Sequence, residues 1–326
     1  MLADAVKSTD ELLELLEINP AQLENQPLAN DFPLRVPHSF VQRMVKGDAR
    51  DPLLRQVLPV TAEAYQAEGF LFDPLDEQHT MPCPGLLHKY QGRALLTVTG
   101  ACAIHCRYCF RRHFPYSDAN PSTDHWDRAV AYLAQHPGIT ELILSGGDPL
   151  TLTDARLQSL TDALASNPHL RTLRLHTRLP VVLPERIDDG FLALLEAQTL
   201  NVVMVIHCNH PNEINQDVTQ ALTRLQQAGV ILLNQSVLLH GVNDDAATLI
   251  HLSEVLFSAG VLPYYLHQLD RVQGTAHFEV DDRCANNLMQ AVHAALPGYL
   301  VPRLVRELPG EPGKVSLWPS REAVTL

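Results

Sequence analysis

The 326-residue chain contains no run of 18 apolar residues, which excludes a membrane-spanning helix of the usual kind. Its first residues, MLADAVKSTDELLELLE, lack a basic start followed by an apolar block, so we expect no signal peptide and predict a cytoplasmic protein. The net charge is −13, so the basic excess of a general nucleic-acid binder is also missing. We therefore expect no nucleic acid and no membrane among its direct partners.

Lysine is scarce as well. Only four of the 24 basic residues are lysines, namely Lys7, Lys46, Lys89 and Lys314. Lys314 follows a turn-forming stretch, PGEPG, and a solvated surface lysine is the simplest interpretation. However, this chain rarely uses lysine for solubility, and covalent attachment of pyridoxal phosphate (PLP) requires a primary amine that arginine cannot replace. Lys314 is therefore a candidate for that chemistry.

From about residue 93, short apolar runs alternate with helical patterns. The six predicted strands cover residues 94–99, 141–146, 170–177, 201–208, 230–239 and 262–268. Six β/α units in series predict a parallel sheet, which either closes as a barrel or lies open as a doubly wound sheet. No G-x-G-x-x-G motif follows the first strand, which disfavours a nucleotide-binding open sheet. We predict an α/β fold built as a partial, TIM-like (β/α)6 barrel.

The chain is predicted to have three parts. Residues 1–85, with a capping-box pattern and Pro-punctuated connections, predict a helical N-terminal extension. Residues 86–275 form the predicted barrel core, and residues 276–326 form a C-terminal segment that carries Lys314. A cysteine cluster follows the first predicted strand, SGGDP the second, HCNHPNE the fourth and HQLD the sixth. A barrel would bring these motifs together at one end.

Three of the six cysteines lie in the stretch CAIHCRYC, at the spacing Cys102-x3-Cys106-x2-Cys109. A structural zinc site or a ferredoxin-type cluster would need a fourth ligand, which His105 or His113 could supply for zinc. Three thiolates on a compact loop instead hold three irons of a four-iron cluster and leave the fourth iron open for a ligand. The spacing favours the cluster over zinc.

C-x3-C-x2-C after the first strand resembles the signature of the radical S-adenosylmethionine (SAM) superfamily. The resemblance implies a barrel of the radical SAM type and a 4Fe-4S cluster on the three cysteines, whose open iron binds the amino and carboxylate groups of SAM. Tyr108 matches the aromatic residue that packs beside the cofactor. Gly146 and Gly147 of SGGDP match the glycine-rich motif that binds the SAM amino group.

Longer motifs extend the resemblance over nearly the whole chain. The segments PGLLHKYQGRALLTVTGACAIHCRYCFRR, LSGGDPL, PVVLPERI, HCNHPNEI, NQSVLLHGVND and PYYLHQLD occur in the order of the lysine 2,3-aminomutases. By this resemblance Lys314 forms the covalent link to PLP. Arg93 and Gln235 hold PLP, chiefly its phosphate, and Tyr90 lies in the same segment. His207 matches a residue near SAM.

The same resemblance implies the substrate contacts. Arg111 matches the arginine that binds the substrate carboxylate, for which a planar guanidinium is well suited. Asp270 matches an acid that holds the side-chain ammonium of lysine. Glu307, seven residues before Lys314, stands where the family usually has aspartate. The glutamate keeps the charge and changes only the reach, so we expect the preference for a cationic substrate to persist.

Two departures from the family bear on its partners. The chain ends SLWPSREAVTL, without the cysteine-rich tail that longer bacterial relatives use for zinc, so we expect no zinc. In addition, CFRR stands where the family usually has Cys-Thr-Arg-Arg. The short chain resembles the branch that makes β-lysine for modification of translation elongation factor P. The implied partners are lysine, a one-electron donor such as flavodoxin or ferredoxin, and a ligase acting on elongation factor P. A homo-oligomer is compatible with these expectations.

The leading hypothesis is therefore an isomerase that converts L-α-lysine to β-lysine. The resemblance implies that an electron from the reduced cluster cleaves SAM, that the resulting radical takes a hydrogen from Cβ, and that PLP provides the π bond for nitrogen migration. Two alternatives stay open. One is the same chemistry on another amino acid, and the other is a non-catalytic iron–sulfur or zinc protein.

Overall fold

The computed structural model describes residues 4–28, 31–116 and 123–318; residues 319–326 of the predicted C-terminal segment lie outside these ranges. The strands are β1 (Ala5–Val6), β2 (Val36–Pro37), β3 (Leu86–Tyr90), β4 (Arg93–Thr99), β5 (Glu141–Gly146), β6 (Thr172–Thr177), β7 (Asn201–His207), β8 (Ile231–Val237), β9 (Leu262–His267), β10 (Arg303–Arg306) and β11 (Val315–Ser316). The α-helices are α1 (Thr9–Leu15), α2 (His38–Val41), α3 (Pro52–Arg55), α4 (Thr123–Gln135), α5 (Asp154–Leu164), α6 (Leu179–Val182), α7 (Asp189–Glu196), α8 (Gln216–Gln227), α9 (Ala246–Ser258) and α10 (Asp282–Ala295). Within the described ranges, none of them has the length and apolar character needed to cross a membrane.

Nine strands form one open sheet in the order β11-β10-β9-β8-β7-β6-β5-β4-β3. Strands β4 to β10 pair in parallel, while β3 and β11 add antiparallel edges. The six predicted strands correspond to β4–β9, each end within two residues, and the partial (β/α)6 barrel is confirmed. The sequence did not predict β10 as a seventh parallel strand, because its four residues, RLVR, are too short to show a clear alternation.

The helices that connect these strands begin at side-chain caps. The side chains of Thr153, Asp188, Asn215 and Asp245 accept hydrogen bonds from the first turns of α5, α7, α8 and α9. Each cap of this kind stabilises a helix by about 1 kcal/mol. Short, well-capped helices return the chain to the amino end of the next strand, so the carboxyl ends of β4–β10 all lie on one side of the sheet.

Side chains alternate along the strands in a way that leaves a polar inner face. In β6, Leu173 and Leu175 are buried, whereas the alternate residues Arg174 and His176 are only partly buried. In β8, Gln235 is likewise only partly buried, with buried neighbours on either side. The buried apolar side chains of these strands pack in the main core with those of the helices, whereas Arg174, His176 and Gln235 lie on the opposite face, toward the interior of the incomplete barrel, which we call the cavity.

The N-terminal residues share their core with the sheet. Leu12 of α1, Phe40 of α2 and Leu54 of α3 belong to the same buried cluster as Leu142 of β5 and Met204 of β7. The three helices are short, at seven, four and four residues, so they bury little surface among themselves. They are stabilised mainly by packing on the barrel. The division of the chain at residues 85 and 275 stays a prediction.

We predict that Phe40→Ala lowers the free energy of unfolding by about 3–5 kcal/mol, because Phe40 is fully buried and its removal leaves a cavity under the guanidinium groups of Arg43 and Arg178. Denaturant unfolding of the apoprotein measures the change. Tyr65→Ala is the control, since this side chain is 69% exposed, and we expect a change within about 0.5 kcal/mol. Equal stability of the two variants would contradict the shared core.

Candidate active site

The cysteine loop, residues 100–109, leaves the carboxyl end of β4 and is tightly held by β5. Gly146, at φ +121°, ends β5, and Gly147 follows it. A Cβ atom on Gly146 would collide with the carbonyl oxygen of Thr99, and one on Gly147 with that of Ala101. The Gly147 N–H donates to the Thr99 carbonyl at 2.7 Å. The two glycines therefore allow the end of β5 to pack directly against the base of the cysteine loop.

Residues of the N-terminal extension contact the other side of the cysteine loop. Arg107 is fully buried and makes a two-point ion pair with Glu63, with Nε 2.9 Å from Oε1. Its backbone N–H donates to the Gln56 carbonyl at 2.9 Å, and that of His105 donates to the Arg35 carbonyl at 2.9 Å. The loop is thus fixed on both sides, as a preorganised ligand set requires.

Burial raises the pKa of two of the three thiols, Cys102 and Cys109, in the metal-free protein. Burial, the neighbouring thiol of Cys109 and the carboxylate of Asp148 raise the pKa of Cys102. Burial and Cys106 raise the pKa of Cys109 to about 11. Loading this loop with iron must therefore release protons, as is general for thiolate ligands. Three soft sulfur donors on one short loop fit an iron–sulfur cluster.

No three histidine, cysteine or acidic side chains in the described ranges surround a point where a single metal ion would bind. The thiolates of a four-iron cluster bind three different irons, so their sulfur atoms do not need to converge on one point. The geometry of the cysteine loop is therefore compatible with the predicted cluster.

Arg178, which the sequence interpretation did not select, contacts the middle cysteine. Its Nη1 donates to the Cys106 Sγ at 2.8 Å, and its Nη2 donates to Gln56 Oε1 at 2.7 Å and to Glu213 Oε2 at 3.0 Å. All of these partners except Cys106 are buried. Arg178 directly follows β6, so its place at the carboxyl end of a predicted strand was the available signal. The N–H···S hydrogen bond orients the sulfur.

Tyr108 and His207, both predicted near SAM, lie against each other. The Tyr108 hydroxyl is 2.9 Å from His207 Nε2 and accepts a hydrogen bond from Asn209 Nδ2 at 2.7 Å, and the two rings stack with centroids 5.5 Å apart. Burial, and then the charge of Arg178, lower the pKa of His207 to about 3. His207 is therefore a neutral imidazole that joins β7 to the cysteine loop.

A second group of residues forms what we call the charged cluster. It consists of Glu77, Lys89, Arg111, Asp270, Glu307 and Lys314. Arg111 makes a two-point ion pair with Glu77 at 2.7 Å, and Glu77 Oε1 is 4.0 Å from Lys89 Nζ. Lys89 Nζ is 3.3 Å from Glu307 Oε1, and the other oxygen of Glu307 is 2.6 Å from Lys314 Nζ. Positive and negative groups therefore alternate from Arg111 to Lys314.

The two acids at the Lys314 end differ in protonation. Burial raises the pKa of Glu307, but the ammonium groups of Lys314 and Lys89 outweigh it and hold the pKa at about 2. Burial and the negative charge of Glu307 raise the pKa of Asp270 to about 7, against the opposing effect of Lys314 and Lys89. Near neutral pH Glu307 is therefore fully ionised, whereas Asp270 is about half protonated.

The surroundings of Lys314 contain polar atoms that a ligand could satisfy. The Nε2 atoms of His176 and His267 are buried and find no hydrogen-bond partner among the described residues. Burial is the largest cause of the lowered pKa of both imidazoles, and the positive charge of Lys314 lowers both pKa values further. Unpartnered buried nitrogen atoms beside a lysine amine fit a polar aromatic cofactor such as PLP.

The residues predicted to hold PLP lie nearby on the inner face. The Arg93 guanidinium lies over the Tyr90 ring at 4.4 Å, and the Lys314 ammonium lies 5.9 Å from the centre of the Tyr265 ring. Gln235 on β8 is in register with His207 on β7 and Tyr265 on β9.

The sequence interpretation did not select Glu77 or Lys89. Glu77 lies in an irregular segment before β3, and the scarcity of lysine was the only signal for Lys89.

This chain is similar in sequence to several known proteins. The sequence profile of the Radical SAM superfamily matches residues 96–252, from β4 into α9. L-lysine 2,3-aminomutase of Escherichia coli (strain K12) is 51% identical over 318 residues, which cover 97% of this chain and 93% of that protein. The Haemophilus influenzae protein of the same name is 48% identical over 315 residues, with 96% and 93% covered. Among solved structures, a radical SAM methyltransferase from Sphaerobacter thermophilus covers 68% of each chain at 15% identity and a TM-score of 0.47.

The open parallel sheet and the cysteine loop after its first parallel strand are those of a radical SAM domain, which implies a 4Fe-4S cluster and SAM. Within that superfamily, the chain belongs to the lysine 2,3-aminomutase family of isomerases. Both resemblances drawn from the sequence are confirmed. The roles assigned to individual residues stay predictions.

We predict that Gly147→Ala reduces the iron bound per chain by at least about half after anaerobic reconstitution, since its Cβ would displace the base of the cysteine loop. Iron analysis and visible absorbance measure the effect. Gly138→Ala is the matched control, because no atom lies within 4 Å of the added Cβ. Full iron binding by Gly147→Ala would show that the close packing is dispensable.

Proposed function

We propose that this protein is a SAM- and PLP-dependent lysine 2,3-aminomutase that converts L-α-lysine to β-lysine. The observation that supports it best is the position of Lys314. The segment from β10 to β11 starts at the carboxyl end of a parallel strand, so it lies on the same side of the sheet as the cysteine loop. A primary amine and a cluster-binding loop thus face one cavity, as a radical reaction on a PLP-bound amino acid requires.

The cysteine-loop end of the cavity is the place for the cluster and SAM. Cys102, Cys106 and Cys109 hold three irons, and the backbone at Gly146 and Gly147 binds the amino group of SAM. Tyr108 and His207 pack beside it, held by the hydrogen bonds they make to each other and to Asn209. When bound, the cluster and SAM supply a radical that takes a hydrogen from carbon, and PLP supplies the π bond used by the migrating nitrogen.

The charged-cluster end is the place for PLP and the substrate. Lys314 attaches PLP, while Arg93 and Gln235 bind its phosphate and Tyr90 packs in the same segment. Arg111 binds the substrate carboxylate. Asp270 and Glu307 bind the side-chain ammonium.

Ionic anchors at both ends of the substrate would fix Cβ relative to SAM. Holding the reacting atoms in place accounts for a large part of catalysis in a bimolecular step. It also protects the protein, because a primary carbon radical attacks any nearby C–H bond. The low exposure of Arg111, Glu77 and Lys89 supports such an enclosed site.

We further propose that the product serves the modification of translation elongation factor P. Electrons would come from flavodoxin or ferredoxin, and a ligase in the cytoplasm would use the β-lysine. The support is the similarity over nearly the full length of relatives such as the Escherichia coli protein. The absence of zinc, a homo-oligomeric state and the domain boundaries stay predictions.

The direct test is anaerobic incubation of the reconstituted protein with lysine, SAM and dithionite, followed by detection of β-lysine. We expect product from the wild type, and loss of product from Lys314→Ala with an unchanged iron content. Lys46→Ala is the control, since Lys46 is exposed and pairs with Glu17 far from the site. An iron–sulfur protein without PLP would show identical absorbance for the wild type and Lys314→Ala, and would refute the proposal.

The pKa of Asp270 predicts a pH dependence for lysine turnover. Only the ionised carboxyl attracts an ammonium group, and with a pKa of about 7 it is about one-tenth ionised at pH 6 and nine-tenths at pH 8. We therefore expect kcat/KM for lysine to rise about tenfold from pH 6 to pH 8 and to fall again on return to pH 6. Steady-state kinetics across this range measure it.

Asp270→Asn should remove this rise, because its side chain does not titrate. Asp162→Asn serves as the control, since Asp162 lies on the exposed face of α5 and should leave the profile unchanged. A tenfold rise that persists in Asp270→Asn would assign the titration to another group.

A further inference from the structure

The guanidinium of Arg111 is held along one edge by Glu77 and at one further nitrogen by Ser145. Its Nε and Nη2 donate to the two oxygens of Glu77 at 2.7 Å each, and its Nη1 donates to Ser145 Oγ at 3.1 Å. A guanidinium has five N–H groups, so these contacts use three of them. One N–H on Nη1 and one on Nη2 remain, and when both lie on the end-on edge they can donate two parallel hydrogen bonds to a carboxylate.

Glu77 is itself fixed from several directions. It is 4% exposed, and its backbone N–H donates to Asp73 Oδ1 at 3.1 Å. The Lys89 ammonium, 4.0 Å from Glu77 Oε1, also donates to the Leu75 carbonyl at 3.0 Å and so ties the same segment to β3. A carboxylate held this firmly can orient the arginine with which it pairs.

We propose that Glu77 is a positioning residue that orients Arg111 for the substrate carboxylate. The inference rests on the function proposed above and adds a residue that the family motifs did not assign. Glu77 takes the side-on edge of the guanidinium and leaves the end-on edge for the substrate. Lys89, which lies between Glu77 and Glu307, adds a second cation beside Glu77.

Two other interpretations of the same contact make different predictions. If Glu77 only blocked Arg111 in the empty site, its removal would lower KM for lysine and leave kcat unchanged or higher. If the pair served stability alone, its removal would lower the unfolding temperature but leave the kinetics of the folded fraction unchanged. A positioning role predicts that lysine still binds but lies in the wrong place relative to SAM.

The test is Glu77→Gln, which keeps the shape and removes the charge. We expect kcat/KM for lysine to fall about 10²-fold, mainly through kcat, because a misplacement of about 1 Å costs this much. We also expect more 5′-deoxyadenosine per β-lysine, since a misplaced product would fail to take a hydrogen back from 5′-deoxyadenosine, which then accumulates. Glu24→Gln is the matched control, as Glu24 is an exposed glutamate that pairs with Arg55 in the N-terminal part of the chain, and it should keep the wild-type ratio.

A double-mutant cycle makes the inference independent of any loss of folded protein. If Glu77 acts through Arg111, adding Glu77→Gln to Arg111→Lys should reduce kcat/KM by less than about twofold further. Fully additive losses would overturn the proposal. So would wild-type kcat and an unchanged 5′-deoxyadenosine ratio in Glu77→Gln.

Failure of this inference differs from failure of the proposed function. If the wild type makes no β-lysine, the function itself is wrong. If the wild type makes β-lysine and Glu77→Gln matches it in both kcat and ratio, only the role of Glu77 is wrong.

Discussion

The neutralisation of several charges inside one cleft is the constraint on which this structure depends. An isolated buried charge is costly, and a buried ion pair is stable only with close contacts and further hydrogen bonds. The alternating order from Arg111 through Glu77, Lys89 and Glu307 to Lys314 meets this condition, with each charge beside one of the opposite sign. These residues come from distant segments, so the same contacts hold together β3, the residues directly after the cysteine loop and the C-terminal segment.

The cavity consequently has two ends with different physical character. Near the cysteine loop, the charges occur in closed pairs, Arg107 with Glu63 and Arg178 with Glu213, and His207 is uncharged because burial lowers its pKa. Near Lys314 the charges instead form one connected chain. The inner face of β6–β9 lies between these ends and supplies partly buried polar side chains.

Much of the architecture was predictable because β/α units repeat a simple pattern. Strands β4–β9 were predicted to within two residues, since each is an apolar run bounded by polar motifs. That the motifs after these strands gather at one end followed from strand ends meeting on one side of a parallel sheet, whereas the roles of residues such as His207 and Asp270 came from the family resemblance. Strand β10 was missed because four residues with an arginine at either end carry too little periodic signal. Glu77 was missed because its segment has no periodicity at all.

The sequence by itself determined the class of chemistry. Three cysteines at C-x3-C-x2-C on one short loop stay close together however the rest of the chain folds, and one lysine in a turn near the C-terminus offers a primary amine. Only the tertiary structure decided which charges face one another. The pairing of Glu77 with Arg111 and the sharing of Glu307 by Lys89 and Lys314 join residues up to 218 positions apart. Such contacts depend on how the sheet curves and where the edge strands end, and local sequence patterns carry no information about either.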